Sequence, residues 1–307
     1  MSDSVSKAES ERLLRFATRA SVATAGILII AKLVAYWQTD SVSILASLVD
    51  SLMDAGASIV NLLAVSYALA PADREHRFGH GKAESIAALA QATFIAGSGL
   101  FLILESIERL VKPQPIEAIG LGLGVMIFSM IATLILVGIQ RHVISKTHSA
   151  AIRADALHYK TDLLSNGAII VALLLSQLGW LGVDPLFALA IAAYILYSSW
   201  AIGNEAFHDL LDREIADEKR EQIIEIAKSH PEVRGMHDLR TRLSGRTEFI
   251  QMHLEMDDDL PLIEAHDIAD QVEAQIIEAI PTADVVIHLD PVSAVDLDTL
   301  PLFKRLP

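Results

Sequence analysis

Long apolar runs fill the first two thirds of the chain. A helix that crosses a bilayer needs about 20 mostly apolar residues. Ala20–Trp37 reaches that length if Lys32 is accepted within it, and Val42–Ala70 does so with Asp50 and Asp54. Four later runs contain no charged residue: Ser85–Leu104, Ala118–Ile139, Leu163–Val183 and Pro185–Asn204. The pattern predicts an α-helical membrane bundle of six transmembrane helices.

From residue 207 onward the apolar residues become periodic, as in a water-soluble domain. The predicted elements are a helix at Ile215–His230, strands at Gly235–Leu243 and Thr247–Met256, a helix at Pro261–Ile280 and a strand at Asp284–Leu289. This α-β-β-α-β order predicts a small two-layer α+β domain, similar to a shortened ferredoxin-like arrangement. We therefore expect a transmembrane domain at residues 1–206 and a second domain at residues 207–307.

Charge separates the two predicted domains. The chain has 307 residues and a formal net charge of −15. Residues 1–206 hold 14 Lys and Arg against 16 Asp and Glu, whereas residues 207–307 hold 10 against 23, which gives −13 for the second domain. So acidic a surface argues against nucleic acid as a partner. The chain has no cysteine, which excludes disulfides, thiolate metal sites and cysteine nucleophiles, so metal ligands must be His and carboxylate.

Basic residues in the short loops predict the orientation of the spans. They cluster before span one, between spans two and three, and between spans four and five: Lys7, Arg12, Arg15, Arg19, Arg74, Arg77, Lys82, Arg141, Lys146 and Arg153. The opposite side has only Arg109 and Lys112. Both termini are therefore expected in the cytoplasm. The amino-terminal stretch is too polar for a signal peptide, so we expect the first span to be retained.

Two carboxylates interrupt the second span. Asp50 and Asp54 are four residues apart, which places them on one helix face, one turn apart. An ionised carboxylate in hydrocarbon costs at least a few kcal/mol, so such groups are normally paired, bound to an ion or facing water. Two together favour a bound cation.

The fifth span repeats this geometry with His158 and Asp162. Two helices that each present two ligands can close one tetrahedral site with three oxygens and one nitrogen, which suits a divalent ion of the zinc class. The alternatives are a helix-end cap or a buried ion pair between Asp162 and Lys32. Asp155 and Lys160 are expected to be charges near the membrane interface, outside the site.

Two further groups of potential ligands lie outside the spans. Asp73, His76 and His80 fall within eight residues of the loop between spans two and three; an exposed polar loop without metal is the alternative. The second domain contains His237, His253, His266, His288 and Asp290. Each histidine alone could be an ordinary core or surface residue, but five such ligands in so small a domain favour a metal site.

Several motifs together resemble the cation diffusion facilitator family, in particular its bacterial ferrous-iron and zinc efflux branch. They are Asp50-x-x-x-Asp54, His158-x-x-x-Asp162, Pro71-Ala72-Asp73 with His76, Phe78-Gly79-His80-Gly81-Lys82-Ala83-Glu84, and Leu210-Leu211-Asp212-Arg213. The similarity extends over Ala20 to Asp290. It implies a homodimer in the bacterial inner membrane, with six spans per protomer and a metallochaperone-like cytoplasmic domain.

The resemblance also assigns roles to residues. It implies a second metal site in the loop, a binuclear site at His237, His253, His266, His288 and Asp290 that braces the dimer, and a charge interlock between Lys82 and Asp212. For the last pair an ordinary surface ion pair is the alternative.

The expected function is export of a divalent cation in exchange for protons, by alternating access. Zn²⁺ is the first candidate cargo, and Fe²⁺, Cd²⁺ and Mn²⁺ also fit the ligands. His158 is the expected proton-coupling residue, because imidazole titrates near neutral pH. The expected partners are the metal, protons, lipid and a second copy, with no separate cofactor. The alternatives are an intramembrane metalloenzyme, in which the same ligands activate water, and a membrane-tethered metal sensor.

Overall fold

The computed structural model describes residues 7–40, 42–111, 120–177 and 184–295. It divides into two compact units, Met1–Phe207 and His208–Pro307. A helical unit followed by a small unit with a three-stranded sheet confirms the predicted fold class.

The described residues of the first unit form six long helices, which run α1 (Lys7–Thr39), α2 (Val42–Ala68), α3 (Lys82–Val111), α4 (Gly120–Thr147), α5 (Ala150–Gln177) and α6 (Asp184–Leu210). Within the described residues, all of these except α5 are long and apolar enough to cross a membrane. The first half of α5 carries four charged side chains, which lowers its mean hydropathy: Arg153, Asp155, Lys160 and Asp162. The last residues of the span predicted at Leu163–Val183, and the start of the one at Ala118–Ile139, lie outside the described residues.

The helical unit carries its large apolar side chains on the outside. Leu33, Phe101 and Leu134 are at least half exposed, whereas Ser51, Ser58 and many alanines are buried. Lipid is as apolar as leucine, so membrane helices pack through small and hydrogen-bonding residues and turn their bulky side chains outward. Helix α1 packs along α2 and α4, and α5 contacts α2, α3 and α4.

The second unit consists of α7 (Asp217–Ser229), β1 (Gly235–Ser244), β2 (Thr247–Met256), α8 (Leu262–Ala279), β3 (Ala283–Pro291) and a 3₁₀ turn at Val292–Ala294. Its α-β-β-α-β order is the predicted one, with element ends that differ by at most two residues. The sheet order is β1-β2-β3, with β1 antiparallel and β3 parallel to β2.

One face of this sheet packs on the helices. Ile250, Met252 and Leu254 alternate along β2 and are almost fully buried against Val272 and Ile276 of α8. Because strand side chains alternate between faces, the odd-numbered residues of β2 point to the opposite face. His253 lies on that second face.

Candidate metal sites

The first cluster lies within the helical unit, where α2 meets α5. His158 Nε2 is 2.9 Å from Asp54 Oδ1 and 3.9 Å from Asp162 Oδ2. One ligand atom from each of these three residues lies within 4.8 Å of the others. The side chains of His158 and Asp54 are only 10% and 13% exposed. Two carboxylates and an imidazole converging in an apolar bundle form a donor set suited to a divalent ion.

Asp50, the fourth predicted ligand, is not drawn into this cluster. It is one turn of α2 away from Asp54, and its side chain lies outside the group of converging atoms. Like-charged carboxylates repel one another when no cation lies between them. The fourth coordination position therefore stays a prediction for Asp50.

Neighbouring side chains fix the helices around His158. The next residue, Tyr159, is 1% exposed, and its hydroxyl lies 2.8 Å from Ser58 Oγ of α2. Phe94 of α3 contacts the His158 ring edge-on, with ring centroids 6.3 Å apart. These contacts orient the α5 ligand toward α2, as outer partners of metal ligands commonly do.

Asp155 is buried within the helix bundle and lies outside the group of metal ligands, and its expected depth near the membrane interface stays a prediction. The side chain is fully buried and accepts hydrogen bonds from Ser21 of α1 at 2.6 Å, Gln91 of α3 at 3.2 Å and Gln140 of α4 at 2.8 Å. Three donors compensate much of the cost of burying a carboxylate. Asp155 thus joins four helices one turn before His158. Lys160, by contrast, is exposed and donates to the Tyr194 hydroxyl.

The second cluster lies in the loop between α2 and α3 and brings Asp73, His76 and His80 together. Asp73 Oδ2 is 3.3 Å from His80 Nε2, and the two histidine rings are 4.6 Å apart. The Nδ1 atom of His80 faces the Ala70 carbonyl at 3.4 Å. Within the part of the chain that the structure describes, its Nε2 is buried without a hydrogen-bond partner and points into the cluster. One nitrogen held by a carbonyl and the other left free is the usual arrangement of a metal-binding histidine.

Backbone groups prepare Asp73 for a cation. The backbone N–H groups of His76 and Glu75 donate to Asp73 Oδ1 at 2.6 and 2.9 Å. These hydrogen bonds, that from His76 foremost, hold the pKa of Asp73 below its usual range. The carboxylate therefore remains ionised, as a ligand must, to lower pH than a free aspartate.

The third cluster is a row of histidines across the sheet of the second unit. The strand register pairs His237 with His253 and His253 with His288. Neighbouring rings in this row are 4.9 and 4.5 Å apart. Asp290 Oδ2 lies 2.7 Å from His253 Nδ1 and 3.5 Å from His237 Nε2. His237, His253 and Asp290 can thus present three ligand atoms to one ion.

Two other predicted ligands of this unit differ in position. His288 is 63% exposed at the edge of the row and lies 3.1 Å from Asp290 Oδ1. His266 is on the outer side of α8, 61% exposed, and pairs with Asp270 in the same helix at 3.5 Å. A single chain therefore brings His288 to the cluster but not His266.

Sequence reasoning missed Glu255. Its Oε1 atom lies 2.9 Å from His237 Nδ1 and so orients the ring. Glu255 is two residues beyond His253 on β2, hence on the same face, and that spacing was the available signal. The interlock predicted between Lys82 and Asp212 spans the two units and stays a prediction.

Comparison with known proteins identifies the chain. Residues 18–211 match the model of the cation efflux transmembrane domain, and residues 215–292 match that of the cation efflux protein cytoplasmic domain. The chain belongs to the cation efflux family. It is 55% identical to the cation-efflux pump FieF of Klebsiella pneumoniae over 96% of this chain and 98% of that protein. Its identity to the cation-efflux pump FieF of Salmonella choleraesuis strain SC-B67 is 56%, over 92% and 95% of the two chains.

A solved structure is also similar to part of the chain. The metal-bound C-terminal domain of the CzcD transporter from Thermotoga maritima matches at 25% identity, over 26% of this chain and 93% of that chain, with a TM-score of 0.25. Membership of the cation efflux family makes the chain a multi-pass membrane transporter of metal cations and not an enzyme. The intramembrane metalloenzyme considered from the sequence is thereby excluded.

Proposed function

We propose that the protein exports a divalent metal from the cytoplasm in exchange for protons, by alternating access, with Zn²⁺ as the first candidate cargo. The convergence of Asp54, His158 and Asp162 inside an apolar helix bundle carries this proposal. Asp50 completes the set when a cation offsets its repulsion from Asp54. Three carboxylates and an imidazole also accommodate Fe²⁺, Cd²⁺ and Mn²⁺.

Protons and metal compete for the same atoms in this proposal. Metal ligands must be deprotonated, so protonation of the cluster expels the ion and metal binding expels protons. His158 is the proposed coupling residue, because its Nε2 already contacts Asp54 and would be shared between a proton and the metal. Rocking of the spans would expose the cluster to one side of the membrane at a time.

The proposed setting is the bacterial inner membrane, with both termini in the cytoplasm. The basic residues in the loops before α1, between α2 and α3, and between α4 and α5 support this orientation. The loop cluster and the second unit would then both face the cytoplasm. We also propose a homodimer, for which the match to the cytoplasmic domain of the family is the support.

Flux into proteoliposomes tests the function directly. Zn²⁺ added outside vesicles that contain the purified protein and a pH-sensitive dye should drive proton movement in the opposite direction. Competition among Zn²⁺, Fe²⁺, Cd²⁺ and Mn²⁺ at several pH values would rank the cargoes. Metal uptake without any proton movement would refute the antiport step, and absence of uptake would refute transport.

Alanine at His76 or His80 should weaken capture of metal at the cytoplasmic entrance. We expect the KM for Zn²⁺ flux to rise roughly tenfold, with kcat little changed, because an entry site contributes binding that does not differ between ground and transition states. His142, an exposed histidine near the last turn of α4, gives the control His142→Ala. Because His80 is buried, the exposed His76 supplies the second variant; an unchanged KM in both would remove the loop from the proposed path.

Alanine at His288 or His266 should weaken metal-dependent association of the second units before it reduces transport. His288 contacts Asp290 at the exposed edge of the histidine row, whereas His266 could reach a site only in an assembled dimer. Crosslinking of the dimer as a function of Zn²⁺ concentration, beside flux on the same preparation, measures both effects. His230→Ala is a matched control on a partly exposed histidine that lies 3.3 Å from Gln271 Oε1. Loss of flux at unchanged crosslinking would contradict this assignment.

A further inference from the structure

Lys32 is a buried cation in the apolar part of α1. It is only 8% exposed, and its Nζ donates to the Ser47 carbonyl of α2 at 3.0 Å and to the Ser51 hydroxyl at 2.6 Å. Among the described residues no carboxylate lies within ion-pair distance of it, so the Asp162–Lys32 pair considered from the sequence does not form. A lysine in a membrane span is expensive and marks a functional position unless its charge is compensated.

The position of Lys32 relative to the metal ligands follows from α2. Ser47, Ser51 and Asp54 are spaced i, i+4 and i+7, so they share one helix face. The ammonium, held by the first two, therefore lies about one helical turn from Asp54, on the side of the α1–α2 connection. The carboxylates of Asp50, Asp54 and Asp162 are near enough to attract the ammonium without forming an ion pair with it.

The charge balance of the site indicates a role for Lys32. Three aspartates carry three negative charges, and a divalent ion with Lys32 supplies three positive charges. The loaded site is therefore neutral, as a site inside a bilayer favours. Between cargoes the fixed ammonium offsets part of the carboxylate repulsion. While the cargo is bound, the same ammonium repels it, because the two positive charges share one apolar environment.

We propose that Lys32 is a resident counter-cation of the transport site, one that lowers its affinity for the divalent cargo and so speeds release. The inference rests on the proposed function, because it concerns the same ligands. Without the positive charge the site would bind metal more tightly and release it more slowly. A lysine that served only to anchor α1 to α2 would influence stability and leave metal affinity unchanged.

The variant Lys32→Met removes the charge and keeps a side chain of similar length. We expect two constants to fall about tenfold. They are the KM for Zn²⁺ flux and the Kd for Zn²⁺ at the transport site, measured by calorimetry on the full-length protein. The maximal rate should fall as well, because release becomes slower. Lys32→Arg restores the charge and should restore both values. Ser51→Ala removes one hydrogen bond while the charge remains, and should leave Kd close to that of the unchanged protein.

The outcomes separate the two proposals. If Asp54→Ala retains flux, the transport site itself is wrong. If Asp54→Ala loses flux but Lys32→Met has an unchanged or raised Kd and KM, the counter-cation role is wrong. If Ser51→Ala and Lys32→Met change thermal stability alike and neither changes Kd, Lys32 is an anchor between helices and the proposal is overturned. Calorimetry on detergent-solubilised Lys32→Met provides the decisive value even where its flux is too low to measure.

Discussion

Proteoliposomes containing Asp54→Ala or Asp162→Ala are expected to show no metal-driven proton flux. Each variant removes a carboxylate from the cluster at the junction of α2 and α5, in which His158 Nε2 lies 2.9 Å from Asp54 and 3.9 Å from Asp162. The remaining ligands cannot offset the cost of taking a divalent ion out of water. We expect the flux to fall at least about 100-fold, since even the loss of an outer partner of a metal ligand costs about 10 to 100-fold.

Matched variants make this result specific. Asp54→Asn and Asp162→Asn keep the side-chain shape and remove the charge, so they should be as inactive as the alanine variants. Asp40→Asn removes a carboxylate at the end of α1, where the backbone φ of 49° suits asparagine as well as aspartate; its flux should remain normal. Zn²⁺ binding by the second unit should be unaffected in all of them, which shows that this unit is folded. Retained flux in either single alanine variant contradicts the assignment.

The helical fold could be predicted because the membrane leaves few alternatives. Backbone groups in hydrocarbon must be bonded within the segment, so a long apolar run forms a helix whatever its detailed sequence. The order of elements after residue 207 followed from the change of hydrophobic period. Both predictions depend on local pattern, which the sequence contains in full.

Burial of polar groups could not be predicted from local pattern. Asp155 and Lys160 occupy similar positions near the start of a span, yet the first is fully buried and the second exposed. The difference arises because Ser21, Gln91 and Gln140, from three other helices, meet at Asp155. Which helices pack together is a property of the whole bundle. For the same reason, the contacts of Lys32 with α2 could not be predicted from the sequence.

The histidine row of the second unit could not be predicted from the spacing along each strand alone. Spacing on each strand places His288 and Asp290 on one face, but the alignment of His237, His253 and His288 requires the register of all three strands. That register includes an irregularity between His237 and Arg240. A shift by one residue would have turned these side chains to the other face of the sheet.

Bound metal should hold the second units of a dimer close together. Chelation of divalent metal should separate the second units of a dimer, since residues 207–307 of each copy carry 23 acidic and only 10 basic side chains. Two domains of charge −13 repel one another, and cations held at the His237, His253 and Asp290 cluster would offset that repulsion. A change in separation would let cytoplasmic metal influence the spans.

Because the chain has no cysteine, the single exposed replacement Gln222→Cys on α7 allows specific labelling of the full-length protein. The distance between two such labels, measured by spin–spin coupling with and without chelator, should increase on metal removal. His237→Ala combined with His253→Ala should show the larger distance even when Zn²⁺ is present, whereas His230→Ala should behave as the unchanged protein. High salt should shorten the metal-free distance, because about 1 M salt reduces the screening length to about 3 Å. A label distance that is the same with and without chelator would contradict this prediction. It would mean that the cluster stabilises each second unit separately, so that metal could not act on the spans by changing the distance between the second units.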